Sequence, residues 1–198
     1  MEKIKKIGFI SFLFVTLLSF SGCFNFFGEE ESQEGLPDAT SSTYQQNDFS
    51  LTVPSSWEVI DKNDFTSDVP DETVVVFRNN VKNETFTANV VVVQRTLQSS
   101  VDSLEYANLV NNRQKSGLID YRELSKEQIT LGIGEGEEST YFTKFEARKA
   151  TNEPLIRYQQ LYGVSGSLAY IVTGASSEQE NDSTVQTIET IVRSFRLK

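Results

Sequence analysis

The sequence contains no histidine and a single cysteine, Cys23, in 198 residues. Without histidine the chain lacks the commonest general base, the commonest zinc ligand and the Ser-His-Asp triad. One cysteine cannot form a disulfide within the chain. These absences exclude the most frequent kinds of catalytic site, so we expect a protein that is not an enzyme.

Basic residues are also scarce, with 18 Lys and Arg against 28 Asp and Glu, which gives a net charge of −10. A strongly acidic surface repels phosphate groups, and this argues against binding to nucleic acid or to anionic lipid headgroups. The composition therefore predicts an acidic domain that has no nucleic-acid partner.

Long apolar runs are confined to the beginning of the chain. Three lysines within residues 1–6 precede an almost wholly apolar stretch at residues 7–20, which is typical of a secretory signal. This stretch is shorter than the roughly 20 apolar residues that a membrane-spanning helix requires. Because no charged residue lies between Lys6 and Glu29, an uncleaved membrane anchor remains an alternative.

The segment Ser19-Phe20-Ser21-Gly22-Cys23 ends this apolar run. It resembles the lipobox of bacterial lipoproteins, in which small residues precede a cysteine that receives a diacylglyceryl group and acyl chains such as palmitate. The resemblance implies cleavage between Gly22 and Cys23 and a membrane anchor on Cys23. Phe20 departs from the usual leucine, and the alternative is a chance cysteine at the end of an apolar run.

Composition divides the chain into three parts. Residues 1–22 are predicted to be the signal peptide, and the acidic, small and polar residues 23–46 to be the lipidated cysteine with a disordered tether. Residues 47–198 have the size of one ordinary domain. The expected location is the extracytoplasmic face of the cell membrane, either periplasmic or at the cell surface.

The periodicity of apolar residues predicts the elements of this domain. Residues 49–53 alternate apolar and polar side chains, residues 73–77 and 86–94 are rich in valine, and four more strand patterns lie within residues 121–175. Two groups of apolar residues recur at helical spacing: Val101, Leu104, Ala107 and Val110, and Val185, Ile188, Val192 and Phe195. Short turns indicate antiparallel pairing, so we predict an α+β fold with an antiparallel sheet of about six strands covered by the two helices.

Two short motifs are candidates for ligand chemistry. The glycine-rich residues 132–136 lack the Gly-Lys-Ser/Thr of a phosphate loop and precede a strand, so we favour a hairpin turn. Glu135, Glu137 and Glu138 are weak candidates for a calcium site, but no D-x-D-x-D-G pattern surrounds them and a solvated acidic turn is favoured. No cofactor, metal or catalytic residue is predicted.

Several stretches of the domain resemble the PsbP-like domain family. Residues 49–57, FSLTVPSSW, are similar to its opening F-x-x-x-x-P-x-x-W, and residues 168–175 and 194–197, LAYIVTGA and SFRL, are similar to its close. The resemblance implies a PsbP-like α/β/α sandwich and a non-catalytic protein that docks to membrane complexes or assists their assembly. Histidines implicated in some photosynthetic members have no counterpart here, so no photosystem role is carried over. Trp57 is interpreted as a core residue, with an exposed docking anchor for a partner as the alternative.

Three functional hypotheses follow from the sequence. The first is a monomeric, lipid-anchored module that binds an envelope protein complex without catalysing a reaction. The second is a small-ligand carrier with a cleft between sheet and helix, which an apolar cavity of several hundred Å³ would support. The third is a carboxylate-dependent hydrolase, which two converging carboxylates would support.

Overall fold

The computed structural model describes residues 40–65, 69–81 and 86–198. In these ranges the chain forms ten strands and two α-helices. Their order is β1 (Ser41–Gln45), β2 (Phe49–Pro54), β3 (Trp57–Asp61), β4 (Thr73–Asn79), β5 (Asn89–Thr96), α1 (Ser103–Gly117), β6 (Ile119–Ile133), β7 (Gly136–Arg148), β8 (Ile156–Ser165), β9 (Leu168–Ser177), α2 (Asp182–Arg193) and β10 (Arg196–Leu197). None of the described helices is long and apolar enough to cross a membrane.

All ten strands belong to one sheet, in the order β1-β2-β10-β6-β7-β8-β9-β5-β4-β3. The described pairings are antiparallel except that of β10 with β6, which is parallel. The prediction of an antiparallel sheet of about six strands covered by helices, as in an α/β/α sandwich, is therefore wrong. The described chain is mostly sheet, and its two helices leave much of that sheet uncovered. Apolar periodicity reveals individual strands, but β1 is polar and β10 has two residues, so neither carries that signal.

The sheet curls so strongly that its two edge strands approach each other. Tyr44 of β1 packs edge-to-face on Phe77 of β4, with 5.1 Å between the ring centroids. The Tyr44 hydroxyl donates a hydrogen bond of 2.6 Å to the Asp61 carboxylate at the end of β3. Because β1 and β3 lie at opposite ends of the strand order, these contacts require a strongly curved sheet, as the natural twist of strands allows.

Helix α2 lies on the inner face of the curved sheet. The Asn181 side chain caps its first turn by accepting a hydrogen bond of 2.8 Å from the Thr184 backbone N–H, which satisfies one of the free donors of a helix start. Ile188, Ile191 and Val192 are completely buried in the main core, together with aromatic residues of β2, β4, β7 and β9. The apolar stripe predicted from helical spacing is thus the face that packs on the sheet.

Helix α1 covers part of the outer face. It begins after Asp102, whose side chain accepts a hydrogen bond from the Glu105 backbone N–H, and it ends at Gly117 as the sequence predicts. Tyr106 and Ala107 pack on a second core cluster that includes Tyr162 and Ile171. Successive residues of a strand point to opposite faces, and accordingly the residues on either side of Ile171 in β9 belong to the main core under α2.

Strand β1 lies in the segment that the sequence assigns to the end of the tether. Ser41–Gln45 pairs with residues 50–54 of β2, and apart from Tyr44 its side chains are exposed. This end of the predicted tether is therefore an edge strand of the sheet and is not disordered. Its polar sequence hides it, because an exposed edge strand needs little apolar alternation. The rest of the predicted tether and the predicted signal peptide lie outside the described residues.

Candidate functional site

The outer face of the sheet contains a groove where α1 stops. Helix α1 packs mainly on β8, β7 and β6, and it ends at Gly117. The uncovered surface forms a cavity of about 600 Å³, which we call the sheet groove. Its volume lies within the roughly 300–1,000 Å³ that is typical of small-molecule sites.

The floor of the sheet groove is largely apolar and crosses five adjacent strands. Val76, Val93, Ala175, Tyr158 and Phe145 contribute to it from β4, β5, β9, β8 and β7 respectively. Neighbouring strands lie about 4.8 Å apart, so four inter-strand spacings give the floor a length of about 19 Å. The groove is therefore elongated and runs across the strands.

The valine run of β5 explains why this floor is apolar. Val90 and Val92 are completely buried in the main core, whereas Val91 and Val93 point to the other face and line the groove. A continuous apolar run predicts a strand that is covered on both faces. Here the second face is only half-buried, since α1 packs mainly on β8, β7 and β6.

Two residues that line the groove each carry a buried oxygen atom without a hydrogen-bond partner among the described residues. Thr73 is 1% exposed, and its Oγ1 atom is unpaired. The Oε1 atom of Gln114, near the end of α1, is also buried and unpaired. Buried polar atoms are paired in the great majority of cases, because an unpaired one costs about 1–3 kcal/mol. These two atoms are therefore unusual, and their burial keeps them out of contact with the space inside the groove.

A buried polar network reaches the same groove from beneath α1. The hydroxyl of Tyr162 contacts the side-chain oxygens of Asn111 and Gln160, and Gln160 donates a hydrogen bond of 2.9 Å to Thr173 Oγ1. Burial raises the pKa of Tyr162 well above its ordinary value, and burial also raises that of Tyr158 on the floor. Both phenols are thus neutral at physiological pH, and they act as hydrogen-bonding groups rather than as charges.

The carboxylates whose pKa is lowered lie on the inner side of the sheet. Burial acts to raise the pKa of Glu146, which is 2% exposed, but hydrogen bonds from Arg157 and Arg122 outweigh burial and hold it below the ordinary value. The pKa of Glu189 is lowered against partial burial by Lys144 and Arg193, at 2.7 and 2.8 Å. Each carboxylate is engaged by two cations, which favours a structural role for both.

We expect the protein to lose stability in acid through these two carboxylates. Their folded-state pKa values lie below the ordinary 4.5, so the stabilisation is complete above about pH 4.5 and is lost as the pH falls through the lowered values. Urea unfolding of the full chain at several pH values between about 6 and 3 measures this loss. The Glu146→Gln variant should lose less stability over that range, and an equal loss in both proteins would contradict the assignment.

The sequence-derived candidate residues do not come together in the sheet groove. Gly22 and Cys23 lie outside the described residues. Trp57 is 7% exposed and belongs to the main core, as we favoured, and it is not an exposed docking anchor. Thr73 and Gln114 were missed, because no local pattern marks a threonine and a glutamine whose environment is built from distant segments.

The acidic turn is a hairpin whose third glutamate has a structural partner. Residues 132–136 join β6 to β7, with Ile133 opposite Gly136, so the hairpin interpretation is confirmed. Glu138 accepts hydrogen bonds of 2.9 and 2.7 Å from the backbone N–H and the hydroxyl of Ser103, at the start of α1. Glu135 and Glu137 are exposed. In the described ranges no three residues among His, Cys, Asp and Glu are grouped as metal ligands.

Comparison with known proteins identifies likenesses of structure. No protein-family model matches the sequence, and neither does any curated protein. The solution structure of cyanobacterial PsbP from Synechocystis is similar with a TM-score of 0.53 and 15% identity, covering 86% of this chain and 100% of that chain. The crystal structure of LpqN of Mycobacterium tuberculosis, described as involved in cell envelope biogenesis, is similar with a TM-score of 0.53 and 11% identity, covering 80% of this chain and 91% of that chain.

The likeness to PsbP extends over the whole of that protein. At such low identity a likeness establishes the fold and leaves the activity open. The resemblance carried by FSLTVPSSW and by the closing motifs is confirmed at this level, and the chain has the PsbP-like fold.

Proposed function

We propose that this protein is a non-catalytic binding module of the cell envelope, and that it binds its ligand in the sheet groove. The observation that carries the proposal is the groove itself, with an apolar floor about 19 Å long and a volume of about 600 Å³. Concave, mainly apolar sites with a few polar atoms are the usual form of a ligand site.

The chemistry of the groove supports binding rather than catalysis. Its described floor carries valines, an alanine, aromatic rings, hydroxyls and amides, while its charged lining residues, Lys149 and Glu153, are exposed at the rim. Amides do not serve as general acids or bases, which are most often His, Glu, Asp, Lys, Tyr or Cys. Tyr158 is the one such group on the described floor, and burial raises its pKa, which disfavours the phenolate.

The extracytoplasmic location rests on two independent supports. The sequence begins with a basic and apolar segment that ends at Cys23 and resembles a lipoprotein signal. A protein with the same fold, LpqN, is described as involved in cell envelope biogenesis. We therefore propose that Cys23 anchors the domain to the outer side of the membrane, where the groove meets its ligand.

A second candidate function, docking of an envelope protein complex, is favoured by the edge of β6. Among the described residues, β6 pairs with β7 along its length, but on its other side only Ile133 has a strand partner, Leu197 of β10. Ile119 and Leu124 on this strand are 37% and 44% exposed. A free edge with apolar side chains can accept a strand from a partner protein, although the β-bulges of β6 make such pairing harder.

Photo-crosslinking in native membranes tests the two candidates. Benzoylphenylalanine replaces Leu118 at the groove, Leu124 at the β6 edge, or Leu109 on the exposed side of α1 as the control. We expect the Leu118 variant to form a covalent adduct whose added mass is that of a small molecule, and we expect the control to form no adduct. A protein-sized adduct at Leu124 would support the docking candidate instead. Adducts at neither Leu118 nor Leu124 would contradict both.

A further inference from the structure

We propose that the free edge of β6 binds the same edge of a second copy of this chain, and that the two strands pair antiparallel about a two-fold axis at residues 124–125. This contact lies outside the sheet groove and does not depend on what the groove binds. It gives a symmetric dimer in place of the monomer expected from the sequence, because the edge exists only in the folded sheet.

The edge of β6 has room for a further strand over residues 119–128. On one side β6 pairs with β7 along its length, whereas on the other side only Ile133 has a described strand partner, in β10. Every residue from 119 to 128 is exposed apart from the half-buried Tyr121. In an antiparallel ladder alternate residues point their backbone N–H and C=O groups away from the neighbouring strand, so this edge offers groups that a further strand can pair.

Two charged residues of this edge, Arg122 and Glu127, lie on the inner face of the sheet. Arg122 is opposite Glu146 and forms an ion pair with it. Glu127 forms an ion pair with Arg193 of α2, the helix on the inner face. The side chains of Arg122 and Glu127 are nevertheless 68% and 58% exposed. Each can therefore accept a second partner of opposite charge.

Two other charged residues, Glu123 and Lys126, lie on the outer face. Glu123 is opposite Phe145, on the floor of the sheet groove. Lys126 donates a hydrogen bond of 2.7 Å to Asn108 of α1. Regular alternation places residues three apart on opposite faces, but the register shifts between Glu123 and Ser125. This bulge brings the two opposite charges to the same face.

The four charges are self-complementary when two β6 edges pair antiparallel. If Leu124 of each copy lies opposite Ser125 of the other, Arg122 faces Glu127 of the second copy on the inner face. In the same register Glu123 faces Lys126 of the second copy on the outer face. The two-fold axis repeats both pairs, and no like charges face each other within residues 121–128. Opposite charges in cross-strand positions stabilise a sheet, whereas like charges destabilise it.

The bulge favours a second copy over an unrelated strand. A bulge disturbs pairing with a regular strand, but a second copy carries the same bulge at the same place, so two residues oppose two and the register is kept. Sliding one copy by two residues would place Glu127 opposite Asp120 or opposite Leu124. Neither neighbouring register preserves the charge pairs.

The dimer requires a high local concentration. Exposed charge pairs contribute little individually, and the net charge of −10 opposes association of free chains. Anchoring at Cys23, as proposed above, would confine the copies to one membrane surface and raise their effective concentration. The pairing is therefore best tested with the full chain in the membranes of living cells.

Cysteine cross-linking in intact cells tests the pairing. In this register the Cα atoms of residue 125 in the two copies lie about 6 Å apart, within the usual range for a disulfide. Mild oxidation of the Ser125→Cys full chain should therefore give a dimer of twice the chain's mass on a non-reducing gel. Glu137→Cys, exposed near the β6–β7 turn, is the matched control and should give none. The unaltered chain reports any cross-linking through Cys23.

Charge reversal tests the register itself. In the Ser125→Cys background, Glu123→Lys alone and Lys126→Glu alone should each lower the yield of dimer about tenfold, because each places like charges opposite each other. Co-expression of these two variants with different tags should restore the mixed dimer, since all its pairs then have opposite charges. A chain with both reversals should dimerise like the parent. Glu137→Lys, the same charge change outside the contact, should leave the yield unaltered.

The outcomes are separate from those that test the sheet groove. No dimer from Ser125→Cys, equal yields in the parent and the single reversals, or no recovery on co-expression would each overturn the pairing. A cross-linked product of any other mass would overturn the second copy as the occupant and would support docking of a different protein. In the photo-crosslinking experiment above, the dimer predicts an adduct at Leu124 of twice the chain's mass, and the result at Leu118 is unaffected.

Discussion

Replacing Val192 with aspartate is expected to lower the free energy of unfolding by about 4 kcal/mol. Val192 is completely buried on α2, in the main core between the helix and the inner face of the sheet. The new carboxylate would have no cationic partner there, and a buried unpaired charge is among the most destabilising changes known. Urea unfolding of the full chain, followed through the fluorescence of Trp57, its only tryptophan, measures the loss.

Gln186→Asp is the matched control for Val192→Asp. It introduces the same charge on the exposed side of the same helix, where surface substitutions usually change stability by less than about 0.5 kcal/mol. A loss of less than about 0.5 kcal/mol in Val192→Asp itself would show that α2 does not pack with this face toward the sheet.

Gly174→Ala is expected to destabilise the fold by about 3 kcal/mol, near the upper end of the usual cost of overpacking a core. A β-carbon at Gly174 on β9 would lie 2.1 Å from Ile188 Cγ2 and 3.2 Å from Val192 Cγ2. The first distance is far below van der Waals contact, and a branched methyl held close to the helix backbone cannot rotate away. Helix α2 would therefore have to lift from the sheet.

The same substitution at Gly117 provides the comparison. A β-carbon there meets no atom within 4 Å, and alanine is the better helix former at the last residue of α1. Gly117→Ala should therefore leave stability unchanged or slightly increased in the same unfolding experiment. If Gly174→Ala were as stable as Gly117→Ala, the close approach of α2 to β9 would be refuted.

Local structure in the second half of the domain could be predicted from the residues themselves. The glycine-rich residues 132–136 form the β6–β7 hairpin, and the tight turn between β8 and β9 contains Gly166 with a φ of +59°, a conformation that favours glycine. Asp102 caps α1 as its spacing indicates. These features depend on neighbours in the chain, and for that reason a single sequence contains the information.

The pairing of distant strands could not be predicted in the same way. Strand β5 pairs along its whole length with β9, about 80 residues later in the numbering, and the last two-residue strand, β10, lies between β2 and β6. Neither pairing leaves a periodic signal, because any two apolar strands present similar backbone edges. The polar strand β1 was assigned to the tether for a related reason, since its pairing with β2 involves the backbone rather than buried side chains.

The sequence by itself determined that histidine chemistry and an internal disulfide are absent and that the chain is acidic. It also determined the two amphipathic helices and the motifs of the PsbP-like fold. Composition and periodicity are properties of neighbouring residues, so they can be read without knowing the fold. Only the tertiary structure decided that the sheet has ten strands in its described part, that it curls until β1 approaches β3, and that α1 packs mainly on β8, β7 and β6. The sheet groove follows from these three facts. Its floor is built from β4, β5, β7, β8 and β9, and long-range packing alone brings these separate segments to one surface.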